Sequence, residues 1–135
     1  MATGKKYTIG KLSELSGCVI QTIRYYEQIS LLPEPDRSPR GHRLYNNDLL
    51  ARLKFILRLR QLGYNLEKTR DLLNIVDGGK YTCQQIKKKT LQHAQTIHDK
   101  ITDLKKIETE LLKMAAQCND DKGRDCSILD SLFHT

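Results

Sequence analysis

Apolar side chains recur at steps of three and four along most of this chain, the pattern of helices that each bury one face. Ile9, Leu12 and Leu15 follow Thr8, a residue suited to capping a helix N-terminus, and Ser16-Gly17 breaks the run. A second helix is predicted from about Val19 to Gln28, with Val19, Ile23 and Tyr26 facing inwards. Two short helices across a Gly-containing turn form a helix-turn-helix. The prolines in Leu31-Leu32-Pro33-Glu34-Pro35 then push the residues before them out of helical geometry. Asp36 to Tyr45 is basic, contains Pro39 and Gly41, and ends in the strand-like Arg43-Leu44-Tyr45, so a short two-stranded wing is expected.

A third helix starts at Asn47 or Asp48, carries Leu49, Leu50, Leu53, Ile56 and Leu57, and stops at Gly63. A fourth, capped by Asn65, runs through Leu72 and Leu73 to Asp77-Gly78-Gly79. Between Thr82 and Gln117 there is neither Pro nor Gly. Ile86, His93, Ile97, Ile101, Leu104, Ile107 or Glu108, Leu111 and Met114 make a coiled-coil-like stripe there, with Lys, Glu and Asp on the other faces. One helix of that length cannot bury such a stripe alone and calls for a partner helix. The expected fold is mainly α: a winged helix-turn-helix domain over residues 1–80, a long dimerisation helix pairing as an antiparallel coiled coil over 81–117, and a short C-terminal metal-binding loop and tail over 118–135.

Charge changes the picture by its position. The 135 residues are 39% hydrophobic and 29% charged, with a formal charge of +7. Fourteen basic and eight acidic side chains lie in residues 1–80, against nine and eight in 81–135. The electropositive part is thus the helix-turn-helix, which favours a nucleic acid as partner. No apolar run approaches the roughly 18 residues of a membrane span. The N-terminus leads into polar sequence, so cytoplasm is the expected location and no membrane partner is expected. In that compartment four cysteines point to thiols or metal ligands before disulfides. An enzyme finds no support, since the sequence shows neither a nucleophile–base arrangement nor a phosphate-cradling Gly loop.

Gln21, Thr22, Arg24 and Tyr25 should face outwards from the second helix and donate to phosphates or base edges of double-stranded DNA. Arg40, His42, Arg43 and Tyr45 follow in a loop able to reach the flanking backbone. Phosphate contacts would make affinity steeply salt-dependent.

The remaining chemistry is sulfur. Cys83 and Cys118 stand 35 residues apart, which in one helix is about 52 Å at roughly 1.5 Å per residue. They cannot share an ion within one chain. Antiparallel pairing of two such helices would set Cys83 of one subunit beside Cys118 and Cys126 of the other, twice per dimer. Cys118 and Cys126 bracket a polar loop, 119–125, that can fold back and turn both sulfurs inwards. Three thiolates without a nearby His suit a thiophilic divalent ion. A thiol redox regulator, in which Cys118 and Cys126 form a disulfide on oxidation, is the alternative on the same scaffold. Cys18, in the turn of the helix-turn-helix, is expected to pack and not to ligate; His93 falls on the coiled-coil stripe, and His98 and His134 carry no ligand role.

Tyr7-Thr8-Ile9-Gly10-Lys11-Leu12, Thr22-Ile23-Arg24-Tyr25-Tyr26-Glu27, Leu31-Leu32-Pro33, Arg43-Leu44-Tyr45 and Arg60-Gln61-Leu62-Gly63-Tyr64 together resemble the MerR family of transcriptional regulators, and with the long helix the resemblance covers nearly the whole chain. It implies a homodimer on a two-fold promoter element whose spacer is too long. The activated dimer bends and untwists that DNA so that RNA polymerase engages both promoter elements. Cys83, Cys118 and Cys126 match the cysteines of family sensors for divalent heavy metals. Copper(I)-sensing relatives usually carry Ser at the place of Cys83, and zinc-sensing relatives usually add another Cys and a His around the loop. The oxidative-stress branch needs four clustered cysteines after the long helix. The resemblance thus implies cadmium, lead or mercury as effector, with zinc less favoured. Cys18 is similar to the cadmium- and lead-responsive branch, whereas Leu62-Gly63-Tyr64 and Asp77-Gly78-Gly79 look more like the mercury branch.

Overall fold

In the computed structural model, which describes residues 4–118 and 126–134, helix α1 (Ile9–Ser16) begins where Thr8 Oγ1 accepts the Lys11 N–H at 3.2 Å. It stops at Gly17, whose φ of 77° is left-handed backbone that a side chain would strain. Helix α2 (Ile20–Gln28) follows at once, with Ile23 and Tyr26 buried as expected. Val19 departs from expectation. It is the N-cap, in extended geometry, and is 63% exposed. Helical periodicity does not govern a residue outside the helix, so the inward position goes unfilled by it. Leu15, at the end of α1, is also exposed, and Leu12 alone carries that helix's fully buried contact.

The wing is minimal. Strand β1 (Asp36–Arg37) pairs antiparallel with β2 (Arg43–Leu44), placing Asp36 opposite Leu44 and Arg37 opposite Arg43. Gly41, at φ 84°, permits the turn between them, which the Ser38 N–H closes onto the His42 carbonyl at 2.8 Å. Beyond β2 the chain bridges back to the N-terminus: Tyr7 and Tyr45 exchange backbone hydrogen bonds of 2.7 and 2.8 Å.

Helix α3 (Asn47–Gln61) starts at the earlier of the two expected positions, because Asn46 caps it by accepting the Leu49 N–H at 2.9 Å. Helix α4 (Leu66–Gly78) is capped by Asn65 as predicted. Leu12, Ile23, Leu31, Leu32, Tyr45, Leu53, Ile56 and Leu73 form the core that these elements share. Two arginines fasten α3 and α4 to the turn after α2. Arg52 donates to both oxygens of Asp77 at 2.8 and 3.0 Å and to the Leu31 carbonyl at 3.2 Å. Arg70 donates to the carbonyls of Ile29 and Ser30. The turn's own geometry, with Ser30 at φ 60°, is thereby held from two sides.

The chain divides into two units, Met1–Tyr81 and Thr82–Thr135. The second is built on α5 (Cys83–Ala116), a helix of 34 residues opened by a capping box between Thr82 and Gln85. Ile101, Leu104, Ile107 and Leu111 of its predicted stripe are exposed, while His93 is buried. The C-terminal segment is not only loop and tail: Ser127–Phe133 forms a short helix, α6, packed on α5. Ile128 and Leu132, and Leu129 and Phe133, stand four apart in it, and none of its residues is buried. The polar loop 119–125 lies outside the described residues. No helix among those described is long and apolar enough to cross a membrane.

Candidate nucleic-acid interface and metal-binding cysteines

Helix periodicity sorts α2 into two faces. Ile23 and Tyr26 anchor it, which leaves Gln21, Arg24 and Tyr25 exposed and Thr22 half-buried. The Tyr25 ring lies 6.2 Å from that of Tyr26, tilted by 47°. In the wing, Arg40 and His42 are exposed near the turn and Arg43 is half-buried. Between α2 and the wing lies a cleft of about 290 Å³ with Arg24, Arg37 and Arg43 on its walls, beside Glu27 and Glu34. Arg37 is braced by its own turn, donating to the Gly41 carbonyl at 2.9 Å. A concavity with three guanidinium groups suits an anion such as a phosphate.

Tyr45 corrects the expectation from sequence. Its side chain is in the core, 1% exposed, and not on the surface of the wing. A period of two explains this: Tyr45 shares a strand face with Arg43, and both reach Glu27 on α2. The Tyr45 hydroxyl donates to Glu27 Oε1 at 2.8 Å, and Arg43 Nε lies 3.2 Å from Oε2. Burial first, then the hydrogen bond to Glu27 and its negative charge, push the Tyr45 phenol far above its ordinary range. It stays protonated and remains a donor.

Glu27 and Arg37 were not among the residues that the sequence pattern singled out. Glu27 carries a readable signal, since Ile23, Tyr26 and Glu27 fall at steps of three and four on the inner face. That places a carboxylate at the edge of the core, where only a partnered charge is tolerated. Arg37 offers no such signal; its role comes from the strand pairing.

The four cysteines are free thiols in three settings. Cys18 is buried in the turn before α2, and burial pushes its thiol up, away from the reactive thiolate. Cys83 is the first residue of α5 and is exposed. Cys118 follows the other end of that helix, exposed, with its N–H donating to the Ala115 carbonyl at 3.1 Å. Cys126, half-buried, is the N-cap of α6. The Ser127 hydroxyl donates to the Gln117 carbonyl at 3.2 Å. Those two residues are the immediate neighbours of Cys126 and Cys118, so the bond brings both cysteines to the same end of α5. Among the described residues of one chain, no three His, Cys, Asp or Glu side chains gather into a metal site. The three thiols other than that of Cys18 stand in two groups, one at each end of a helix about 51 Å long at roughly 1.5 Å per residue.

Residues 7–74 match the family described as MerR HTH family regulatory protein, and residues 50–114 match MerR, DNA binding. The mercuric resistance operon regulatory protein of Bacillus cereus is 37% identical over 129 residues, covering 95% of this chain and 98% of the relative. The structure is similar to that of PbrR691 from Ralstonia metallidurans CH34 in complex with lead(II), with a TM-score of 0.78 and 36% identity over 93% of this chain and 98% of that one. It is also similar to MerR from Bacillus megaterium MB1 in complex with mercury(II), with a TM-score of 0.72 and 33% identity over 94% and 99% of the two chains. The helix-turn-helix, the two-stranded wing and the long helix are thus those of a shared fold, and the chain belongs to the MerR family of transcriptional regulators, not to a family of enzymes.

Proposed function

We propose that this chain is a metal-responsive activator that holds promoter DNA as a homodimer. Its effector is a thiophilic divalent ion (mercury, cadmium or lead, ahead of zinc), bound by Cys83 of one subunit with Cys118 and Cys126 of the other. One observation carries the reading: three of the four free thiols divide between the two ends of an uninterrupted helix whose apolar stripe lies exposed. Antiparallel pairing of two such helices covers the stripe and completes two three-thiol sites in one step. The donor set fits the ion, because thiolates favour soft metals. Thiols lose their protons on ligation, so acid competes with the metal. Relatives named for mercuric resistance and for a lead(II) complex support this class of effector.

The exposed face of α2, with Gln21, Arg24 and Tyr25 and with Thr22 at its edge, would enter the major groove. Arg40, His42 and Arg43 would meet the flanking phosphates, with Tyr45 supporting the wing from inside. Gathering of the thiolates at the ends of the paired helices would shift the two DNA-binding units. The promoter then untwists enough for RNA polymerase to engage both its elements.

The test pairs a metal titration with transcription from the cognate promoter. Thiolate-to-metal absorbance should saturate at one ion per subunit, and induction should follow mercury, cadmium or lead. Cys83→Ser, Cys118→Ser and Cys126→Ser should each abolish induction while promoter binding persists. Induction that survives all three substitutions would sink the metal site. Induction by peroxide or diamide in metal-free conditions would favour thiol oxidation instead.

A further inference from the structure

We propose that Glu27 is a positioning residue for DNA binding, which sets Arg43 of the wing against the recognition helix so that its guanidinium faces the DNA. This rests on the reading of α2 and the wing as the DNA-contacting surface. The observation behind it is an apparent misfit. A carboxylate sits in the wall of a cleft that carries Arg24, Arg37 and Arg43, where its charge opposes the binding of any phosphate. Its side chain is nevertheless only 8% exposed, and it joins two parts of the molecule: helix α2 and strand β2.

The two oxygens of Glu27 do different work. Oε1 accepts the Tyr45 hydroxyl at 2.8 Å, and Tyr45 is fixed in turn by its backbone bridge to Tyr7. That half is rigid. Oε2 is buried and holds the Arg43 Nε at 3.2 Å as an ion pair, without an aligned hydrogen bond. That half restrains the guanidinium by charge and leaves its Nη atoms, which carry four of the five N–H donors, for another acceptor. A wing of two-residue strands has little rigidity of its own. Long arginine side chains lose rotamer freedom on binding, and a side chain already restrained loses less.

Two effects of removing the Glu27 charge therefore have opposite signs. Loss of a negative charge near phosphates strengthens DNA binding; loss of the restraint on Arg43 weakens it. The pair is close and the carboxylate largely buried, whereas a phosphate approaches from solvent, where its charge is screened, so the restraint should win. Glu27→Gln produces both effects while sparing the bond to Tyr45, and the Arg43→Ala background isolates the charge effect. The amide oxygen still accepts from Tyr45, while the amide NH₂ faces the Arg43 guanidinium, donor against donor.

The experiment is a double-mutant cycle between Glu27→Gln and Arg43→Ala. It is read as the dissociation constant for a duplex that the full-length wild-type protein selects from a random pool, over a range of salt. Glu27→Gln should weaken binding about tenfold, within the range expected for residues in one ion-pair network. It should also lower the slope of log affinity against log salt by up to about 0.9, the value of one phosphate contact. In the Arg43→Ala background the same substitution should change affinity less than about twofold or tighten it. Thermal unfolding of each variant confirms that binding is measured on folded protein, and Glu27→Asp, which withdraws the carboxylate by one methylene, replaces Glu27→Gln if the latter does not fold. Glu27→Gln that binds as tightly as wild type or tighter overturns the proposal, and so does equal weakening in both backgrounds. If Arg43→Ala itself leaves affinity and salt slope unchanged, Arg43 is not a DNA contact, and the positioning role falls together with that part of the proposed surface. If Arg43→Ala weakens binding and Glu27→Gln does not, only the positioning role fails.

Discussion

The Tyr45 hydroxyl is a neutral donor to a buried carboxylate, and its removal should show in stability. Tyr45→Phe keeps the ring in the core but leaves Glu27 Oε1 without its 2.8 Å partner. An unsatisfied buried acceptor costs about 1–3 kcal/mol, which urea unfolding would register as a lower midpoint at unchanged slope. The phenol also imprints a pH dependence. Its folded value is raised, so its contribution to stability is complete below the unfolded value near pH 10 and is lost as pH rises beyond it. In Tyr45→Phe the alkaline fall in stability should be shallower. At this scale sequence reading succeeds where the cause is local. Thr8 and Asn65 were legible as caps because a cap bonds a backbone N–H three residues away. Tyr45 was misplaced because its partner, Glu27, lies 18 residues earlier on another element.

Helices α3 and α4 meet through Arg52 and Asp77, a bidentate pair at 2.8 and 3.0 Å next to the glycines that end α4. The hydrogen bond from Arg52 holds the Asp77 carboxyl below its ordinary value, its charge adding to the effect. A lowered carboxylate stabilises the fold above its unfolded value, near pH 4, and that contribution disappears as pH falls through the folded value. Asp77→Asn should therefore flatten the acid limb of stability measured by thermal unfolding below pH 4. The effect should be small, because half-exposed pairs are screened by solvent. If the acid limb is unchanged, the pair contributes nothing to holding α4 on α3. Elements were the most legible level of the chain. The steps of three and four in α3 and α4 reflect burial against a constant neighbour, and the absence of Pro and Gly from 82 to 117 left α5 no place to break. Helix α6 was not read, since in its seven residues, about two turns, the pairs Ile128–Leu132 and Leu129–Phe133 each occur only once and do not recur.

For the molecule as a whole, an excess of positive charge belongs to the unit with the helix-turn-helix, and three of the four thiols belong to the unit with the long helix. The proposed regulator joins these through the dimer: one surface for DNA, and a metal site that no single chain completes. Helix length made that proposal available from sequence, because two thiols about 52 Å apart cannot meet on the helix that separates them. The same claim has a direct test. A heterodimer is assembled from one Cys83→Ser chain and one Cys118→Ser chain, purified by distinct tags, and titrated with cadmium(II) while thiolate-to-metal absorbance is followed. One site then has Cys83, Cys118 and Cys126 intact, and the other has lost two of its three thiols. A site shared between subunits predicts one tightly bound ion per heterodimer and none at comparable affinity in either parent homodimer. A heterodimer that binds no better than its parents, or parents that bind as wild type does, would contradict it.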